Sequence, residues 1–213
     1  MVRPPLCWLL ALPHTQQLRS WCLSICTARF LEINPNHAVP ALGFTDADGE
    51  SAVMFESCAI VEFLVDAIDA GDSLAPPPGP TKARAEYKKW MWFGGSWMDQ
   101  LLWQIRQHGP GGILPPEEQD PRVVTRTEEK WRAEVEPQLC AQLSSSGGPF
   151  LLGDFSAVDC VVGHCVRWSR AYGLSTGVPQ LEDYLAACQE REAFKSTYAD
   201  AHTFGQSPEA AKQ

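Results

Sequence analysis

The sequence predicts a small mixed α/β layer followed by a bundle of α-helices. Three observations support this fold class: an Asp-Gly turn between two short apolar runs, a change to helical periodicity after that turn, and a proline-rich break. The break spans residues 71–80 and holds four prolines and two glycines, so it continues neither a helix nor a strand. We therefore expect one domain at residues 1–75 and a second, all-helical domain at residues 81–205.

The α/β layer is predicted from a hairpin outward. Residues 39–44 and 51–55 are short apolar runs, and the Asp48-Gly49 pair between them favours a tight turn because Gly accepts a positive φ. From Ser57 the apolar residues recur at i, i+3 and i+4, which predicts an amphipathic helix with one buried face. That stripe is formed by Ile60, Val61, Leu64, Val65 and Ile68.

After the break the periodicity is helical throughout. Residues 81–107 predict one long helix with a kink at Gly94-Gly95. Further helices are predicted at residues 121–144, 157–172, 180–190 and 192–201. Because no strand alternation interrupts this stretch, a helical bundle is the expected architecture.

Composition and charge exclude several classes of function. The 26 Asp and Glu against 17 Lys and Arg give a formal net charge of −9, which argues against binding nucleic acid or an anionic membrane surface. No run approaches the roughly 18 apolar residues of a membrane span, and the proline-flanked apolar stretch at residues 7–12 is too short for a secretion signal. The eight cysteines lack zinc-site spacing, so we expect reduced thiols, no bound metal and a cytoplasmic protein.

An ordered set of short motifs resembles a known family. Asn34-Pro35 is followed after three residues by Val39-Pro40-Ala41-Leu42, then by the hairpin, then by Glu56-Ser57-Cys58-Ala59-Ile60. This order and spacing resembles the N-terminal domain of the glutathione S-transferases. The resemblance covers residues 27–200 and implies a thioredoxin-like N-terminal domain, an all-α C-terminal domain, glutathione as cosubstrate and a homodimer.

The resemblance assigns glutathione contacts to Val39, Pro40, Glu56 and Ser57. A helix that begins at Ser57 offers free backbone N–H groups and a positive dipole end, which suit a carboxylate. The family binds the α-carboxylate of the γ-glutamyl group there, with Glu56 next to its amino group. A cis Val39–Pro40 bond, which the resemblance implies, turns the Val39 backbone toward the cysteinyl backbone of glutathione. The alternative interpretation of Glu56-Ser57 is a plain N-terminal helix cap.

A second motif lies beyond the break. Ser156 and Asp159 stand three residues apart at the start of an apolar run, which predicts a capping box. The surrounding string resembles the cap of the buried central helix in the transferase C-terminal domain. Both interpretations are structural and assign no chemistry to the pair.

The catalytic residue is expected ahead of residue 27. In the family, the first strand leads into a loop whose Tyr, Ser or Cys contacts the glutathione sulfur, and a helix, a second strand and another helix follow. The nearest fit makes residues 7–12 the first strand and residues 16–23 the first helix, so that Thr15 stands where the catalytic hydroxyl belongs. The alternatives are Ser20, Cys22 and Ser24, or a divergent terminus without this layout.

Four aromatic residues follow the break at helical spacing. Tyr87, Trp90, Trp97 and Trp103 are candidates for a hydrophobic electrophile pocket in the cleft between the domains. The alternative is that this stripe packs in the protein core.

The leading functional hypothesis is a glutathione transferase that adds the glutathione thiolate to a hydrophobic electrophile, a detoxification reaction that needs no metal. A second hypothesis is a non-catalytic glutathione-binding or protein-interaction module on the same fold. A third, thiol–disulfide exchange through Cys7 or Cys22, lacks a supporting Cys-Pro-x-Cys loop.

Overall fold

A three-stranded antiparallel sheet forms the α/β layer. The computed structural model describes residues 19–20, 28–69 and 73–198. In spatial order the strands are β1 (Arg19–Ser20), β2 (Ala41–Thr45) and β3 (Ser51–Phe55). The register of the β2–β3 hairpin runs from the pair Ala41–Phe55 to the pair Thr45–Ser51, so the predicted hairpin is confirmed.

One side chain reinforces the backbone hydrogen bonds that close the turn of the hairpin. The Asp46 carboxylate oxygen Oδ1 accepts hydrogen bonds from the N–H groups of Asp48 at 3.0 Å and Glu50 at 2.9 Å. Gly49 has a φ of 87°, a conformation that glycine adopts without steric cost. The turn therefore fixes the register that positions the other end of the hairpin.

Two helices flank the hairpin in sequence. α1 (Ala28–Ile33) precedes it, and α2 (Ser57–Ile68) follows it directly. The predicted apolar stripe of α2 is confirmed, because four of its five residues are buried in the core and Ile68 is partly buried. α2 packs against β3 and against a central helix of the bundle.

The described chain after residue 80 is helical, as predicted. Its α-helices are α3 (Lys82–Trp92), α4 (Asp99–His108), α5 (Pro121–Lys130), α6 (Glu136–Ser145), α7 (Ala157–Ser169), α8 (Pro179–Glu190) and α9 (Glu192–Tyr198). Turns of π-helix join α3 to α4 at Phe93–Met98 and α5 to α6 at Trp131–Val135. Short 3-10 turns lie at Pro116–Glu118 and Arg170–Tyr172.

The kink predicted at Gly94-Gly95 is a π turn. The Asp99 N–H donates to the carbonyl of Gly94, five residues earlier, instead of the usual four. A Cβ atom on Gly94 would lie 2.9 Å from Val161 Cγ1, which belongs to α7. α3, this π turn and α4 together form one long helix. The absence of side chains on the two glycines lets α7 and α2 approach the long helix closely.

The core is built around α7. Ten of its 13 residues are buried, so the helix is enclosed on nearly every side. It packs against α2, α3, α4 and α8. The Ala157 N–H at its start donates to the Leu74 carbonyl at 2.8 Å, which ties the proline-rich segment to the centre of the bundle.

One predicted element is wrong. The nearest fit to the resembled family places the first helix at residues 16–23, whereas Arg19–Ser20 is extended and pairs with Gly43 and Leu42 of β2. The backbone N–H and C=O groups on this side of β2 provide hydrogen-bond partners for an extended segment. The strand beside β2 is therefore contributed by residues 19–20, while the strand predicted at residues 7–12 lies outside the described residues.

Candidate functional site

The hairpin register brings two predicted ligand-binding segments to the same end of the sheet. Ala41 pairs with Phe55 at the open end of the hairpin. Val39 lies two residues before Ala41, and Ser57 lies two residues after Phe55. Each is therefore within about 8 Å of that pair along the chain, since consecutive Cα atoms are about 3.8 Å apart. A backbone segment and the start of α2 thus flank one region of the surface.

Val39 is exposed, and the segment before it is fixed by a buried asparagine side chain. The Asn34 side chain is buried, donates to the Ala38 carbonyl at 2.7 Å and accepts from the Asn36 N–H at 3.0 Å. The Val39–Pro40 peptide bond is cis, as the resemblance implies. Val39, two residues before β2, is 45% exposed, so this segment is accessible to a ligand. An extended peptide is the kind of ligand that an open backbone segment binds through main-chain hydrogen bonds.

The start of α2 is open as well. The helix begins at Ser57, as predicted, and the residue in the cap position is Glu56. Glu56 has a φ of 78° and supplies no capping hydrogen bond from its side chain. Ser57 is therefore the first helical residue and not its cap. Ser57 is partly exposed, and the first backbone N–H groups of α2, which begin there, favour an anion.

The second residue of α2 is a buried thiol whose pKa is raised. Cys58 is buried, and burial together with the nearby carboxylates of Asp99, Glu62 and Glu56 raises its pKa to about 11. Its Sγ donates to the Met91 carbonyl at 3.7 Å. Cys58 consequently serves packing between α2 and α3, and it does not compete with an incoming thiolate.

No protein-family model matches the chain, and no curated protein is significantly similar to it in sequence. Solved structures are similar over most of its length. A glutathione transferase from Burkholderia graminis, with two glutathione molecules bound per subunit, is 23% identical and has a TM-score of 0.72, covering 93% of this chain and 84% of that chain. BphK, a bacterial glutathione transferase solved as a ternary complex, is 23% identical with a TM-score of 0.70 and 92% of each chain covered. Ure2p5 from Phanerochaete chrysosporium, cocrystallized with 1-(S-glutathionyl)-2,4-dinitrobenzene, is 21% identical with a TM-score of 0.64, covering 87% of this chain and 81% of that chain. The chain has the glutathione transferase fold.

The glutathione transferase fold confirms the predicted fold class, a thioredoxin-like α/β part followed by an all-helical part. Within that fold, Val39, Pro40, Glu56 and Ser57 lie at one end of the β2–β3 hairpin. The assignment of Thr15 as the catalytic hydroxyl remains a prediction, because residue 15 lies outside the described residues. The same is true of the side chains of its alternatives, Ser20, Cys22 and Ser24.

The predicted aromatic pocket does not exist as one open cleft. Tyr87 is fully buried and Trp90 is 4% exposed, so both rings belong to the core, as the alternative interpretation has it. Trp97 is 40% exposed, but the Lys130 ammonium covers its ring, 4.7 Å from the centroid. Trp103, the last of the four, is 42% exposed and contacts a different group of aromatic residues.

The predicted capping box at the start of α7 is confirmed. The buried Asp159 carboxylate accepts from the Ser156 N–H at 2.8 Å and from the Ser156 hydroxyl at 3.2 Å. It also accepts from the Leu151 N–H at 3.2 Å and the Tyr184 hydroxyl at 3.1 Å. Four donors converge on one carboxylate, which joins the α7 start to α8 and contributes to the fold, as expected for a structural motif.

Sequence reasoning missed two residues near the site. Asn34 fixes the segment before Val39 through its hydrogen bond to the Ala38 carbonyl. The sequence indicates this residue only as part of the Asn34-Pro35 motif on which the resemblance rests. Asp99 lies at the start of α4, close enough to Cys58 for its carboxylate to raise the thiol pKa. Burial raises the pKa of Asp99 itself to about 6. No spacing in the sequence signals this residue, because its neighbour Cys58 is 41 positions away.

None of the helices among the residues that the structure describes is long and apolar enough to cross a bilayer. No group of three or more His, Cys, Asp or Glu in the same ranges is arranged to hold a metal ion.

Proposed function

We propose that the protein binds glutathione at the open end of the β2–β3 hairpin and transfers its thiolate to a hydrophobic electrophile. The observation that carries this proposal is the register that sets the exposed Val39 beside the open start of α2 in a chain with the glutathione transferase fold. The similar Burkholderia graminis protein contains bound glutathione, and Ure2p5 was cocrystallized with a glutathione conjugate.

In this proposal residues 1–75 form the glutathione-binding domain and residues 81–205 the helical domain. The γ-glutamyl carboxylate binds the first N–H groups of α2 and the Ser57 hydroxyl, where the helix dipole favours a negative charge. Glu56 lies next to the amino group of the same residue. The Val39 backbone pairs with the cysteinyl residue of the tripeptide, as an added strand does.

Activation of the thiol requires an additional donor. A free thiol has a pKa near 8.5, and lowering it by two units takes about 2.7 kcal/mol of preferential stabilisation of the thiolate. Thr15 is the hydroxyl that the resemblance favours. The position of β1 supports the alternatives Cys22 and Ser24, because the family places its catalytic residue after the strand that lies beside β2.

Calorimetric titration with glutathione tests the binding half of the proposal. We expect wild type to bind at millimolar ligand or below. Ser57→Ala should weaken binding about 10-fold, the value of one hydrogen bond to a charged group. Ser51→Ala is the matched control, because Ser51 lies at the opposite end of the same hairpin. A flat titration of wild type at millimolar glutathione would overturn the proposal.

Turnover of 1-chloro-2,4-dinitrobenzene tests the catalytic half. Conjugation by wild type, reduced in one of the variants Thr15→Ala, Cys22→Ala or Ser24→Ala, would identify the donor. Binding of glutathione without turnover would instead favour the non-catalytic module. One observation favours that second candidate. In the described ranges, the thiol nearest the proposed glutathione site, Cys58, stays protonated at neutral pH, and the Tyr87 hydroxyl is buried, so neither is available to activate glutathione.

We also propose a homodimer in the cytoplasm. Apolar side chains exposed on β3 and α3 support an interface between copies, with Val53 47% and Trp92 51% exposed. Light scattering on the purified protein measures the mass directly. A mass of one chain at micromolar concentration would contradict the dimer.

A further inference from the structure

A groove of about 510 Å³ lies between the C-terminal end of α7 and one face of α8, away from the candidate glutathione site. Its walls include Arg167, Trp168 and Arg170 on the α7 side and Glu182, Leu185 and Ala186 on α8. We propose that this groove binds the segment that follows α9, residues 199–209, through Asp200 and Phe204. The inference does not depend on the proposed function.

The first observation is that α9 brings the chain to the edge of this groove. The structure describes the chain as far as Tyr198. The Tyr198 ring lies under the Arg167 guanidinium, 4.1 Å from the ring centroid, and its hydroxyl is 2.9 Å from Nδ1 of His164. Because Arg167 also lines the groove, the chain after Tyr198 starts beside one of its walls.

The length of the segment is sufficient to fill the groove. Asp200 comes two residues after Tyr198, within about 7 Å along the chain, so it can reach Arg167. Phe204 comes six residues after Tyr198 and can reach about 20 Å from it. The face of α8 that lines the groove extends from Glu182 to residue 189, about 10 Å along the helix.

The second observation is that the groove is positively charged in a chain whose formal net charge is −9. The Glu182 carboxylate has a partner for each oxygen: Oε2 accepts from the Arg170 guanidinium at 3.1 Å, and Oε1 accepts from the Gly177 N–H at 3.0 Å. Glu182 therefore offsets the charge of Arg170. Arg167 gives the described walls their excess positive charge, which an acidic segment complements.

The third observation is an apolar surface next to these charges. Leu185 is 2% exposed and lies at the base of the groove, and the exposed Ala186 beside it contributes only a methyl group. The Trp168 indole is held in place, because its Nε1–H donates to the Tyr172 hydroxyl at 3.0 Å. A fixed indole beside an aliphatic side chain suits the packing of another aromatic ring.

Residues 199–209 have the composition that such a groove selects. They contain Asp200 and Glu209, no Lys or Arg, and one large apolar side chain, Phe204. Asp200 pairs with Arg167, and Phe204 packs on the apolar surface. Because α9 tethers the segment, its effective concentration at the groove is about millimolar. An affinity of only about 0.1 mM for the separate peptide then keeps the groove about 90% occupied.

Cleavage by chymotrypsin after Phe204 tests the inference, because a protease cuts a bound segment in proportion to the fraction that is released. The protein is compared with a synthetic peptide of residues 199–213, and mass spectrometry identifies the cleaved bond. We expect cleavage after Phe204 to be about tenfold slower in the protein than in the peptide. Equal rates in the wild-type protein and the peptide would overturn the inference without any variant.

A charge exchange tests the pair between Asp200 and Arg167. Arg167→Asp should speed cleavage about fivefold, the upper value for an exposed ion pair. The double variant Arg167→Asp with Asp200→Arg should regain most of the protection. Loss of the contact between Arg167 and Tyr198 is common to both variants, so recovery reports the pair and not a change in α9. The control Arg132→Asp changes an exposed arginine between α5 and α6 and should match wild type. Equal cleavage of the single and double variants would overturn the inference.

A steric variant tests the groove itself. Ala186 is exposed, so Ala186→Trp should fold, and its indole should occupy the space that Phe204 requires. We expect this variant to be cleaved nearly as fast as the peptide. Cleavage at the wild-type rate would overturn the inference. Protection that increases with protein concentration would also overturn it, because the segment would then occupy the groove of a second copy.

Discussion

A Cβ atom on Gly95 would collide with the Sγ atom of Cys58. The long helix formed by α3, the π turn and α4 therefore approaches α2 at a position where it carries no side chain. Because Cys58 is the second residue of α2, this contact sets the distance between the helical bundle and the start of α2, where the candidate glutathione site lies.

We predict that Gly95→Ala destabilises the protein by about 1–3 kcal/mol, the usual cost of an added methyl group in a packed interior. The intrinsic preference of Ala for helix offsets part of that cost. Urea denaturation measures the change. The double variant Gly95→Ala with Cys58→Ala should recover most of the loss, because the colliding sulfur is gone. Additive losses in the double variant would contradict a direct contact between the two positions.

The Asp159 carboxylate accepts four hydrogen bonds, so its replacement should be severe. Asn has one acceptor oxygen, and its NH2 group would face donors in a buried site. We predict that Asp159→Asn lowers the free energy of unfolding by about 2–4 kcal/mol. Tyr184→Phe removes a single donor and should cost about 1 kcal/mol. Equal losses in the two variants, measured by urea denaturation, would argue against a shared network at Asp159.

The elements that the sequence predicts correctly are those that short local sequence patterns specify. The hairpin depends on Asp48-Gly49, the α2 face on the spacing from Ile60 to Val65, and the α7 cap on Ser156 and Asp159. Each pattern spans less than two helical turns or one strand pair. Local steric and hydrogen-bonding preferences therefore decide these elements before tertiary packing does.

The features that escape the sequence depend on contacts between distant elements. Asp99 lies near Cys58 because Gly95 allows the long helix to contact α2. No periodicity in the sequence indicates that contact. Tyr87 and Trp90 share helical spacing with the half-exposed Trp103, so spacing does not distinguish buried rings from exposed ones. That distinction depends on how fully the neighbouring helices cover each ring.

The Asp46 side chain should stabilise the hairpin that supports the site. Its Oδ1 atom accepts two backbone hydrogen bonds across the turn. We predict that Asp46→Ala weakens the hairpin by about 1 kcal/mol, seen as faster hydrogen exchange of the β2 and β3 amides. Asp46→Asn retains the Oδ1 acceptor and should exchange at nearly the wild-type rate. If Asn and Ala accelerate exchange equally, the negative charge and not the acceptor geometry is what matters in the turn.

His164 should make the stability of the protein depend on pH. Its Nδ1 is 2.9 Å from the Tyr198 hydroxyl, and burial followed by the nearby Arg167 lowers its pKa to about 4. The folded state thus keeps this imidazole neutral at pH values where the unfolded chain, with a pKa near 6.5, binds a proton. As the pH falls from 6.5 to 4, proton binding stabilises the unfolded chain and the folding free energy decreases, by up to about 3 kcal/mol from this group.

Urea denaturation between pH 4 and pH 7 measures that dependence, and the difference from His164→Gln isolates it from the carboxylates that titrate in the same range. We expect wild type to lose stability more steeply than His164→Gln as the pH falls. The control His37→Asn changes an exposed loop histidine whose φ of 56° suits Asn, and its profile should parallel wild type. Parallel profiles for wild type and His164→Gln would mean that the imidazole accepts its proton in the folded protein. The contact between α7 and α9 through Tyr198 would then have to accommodate a charge.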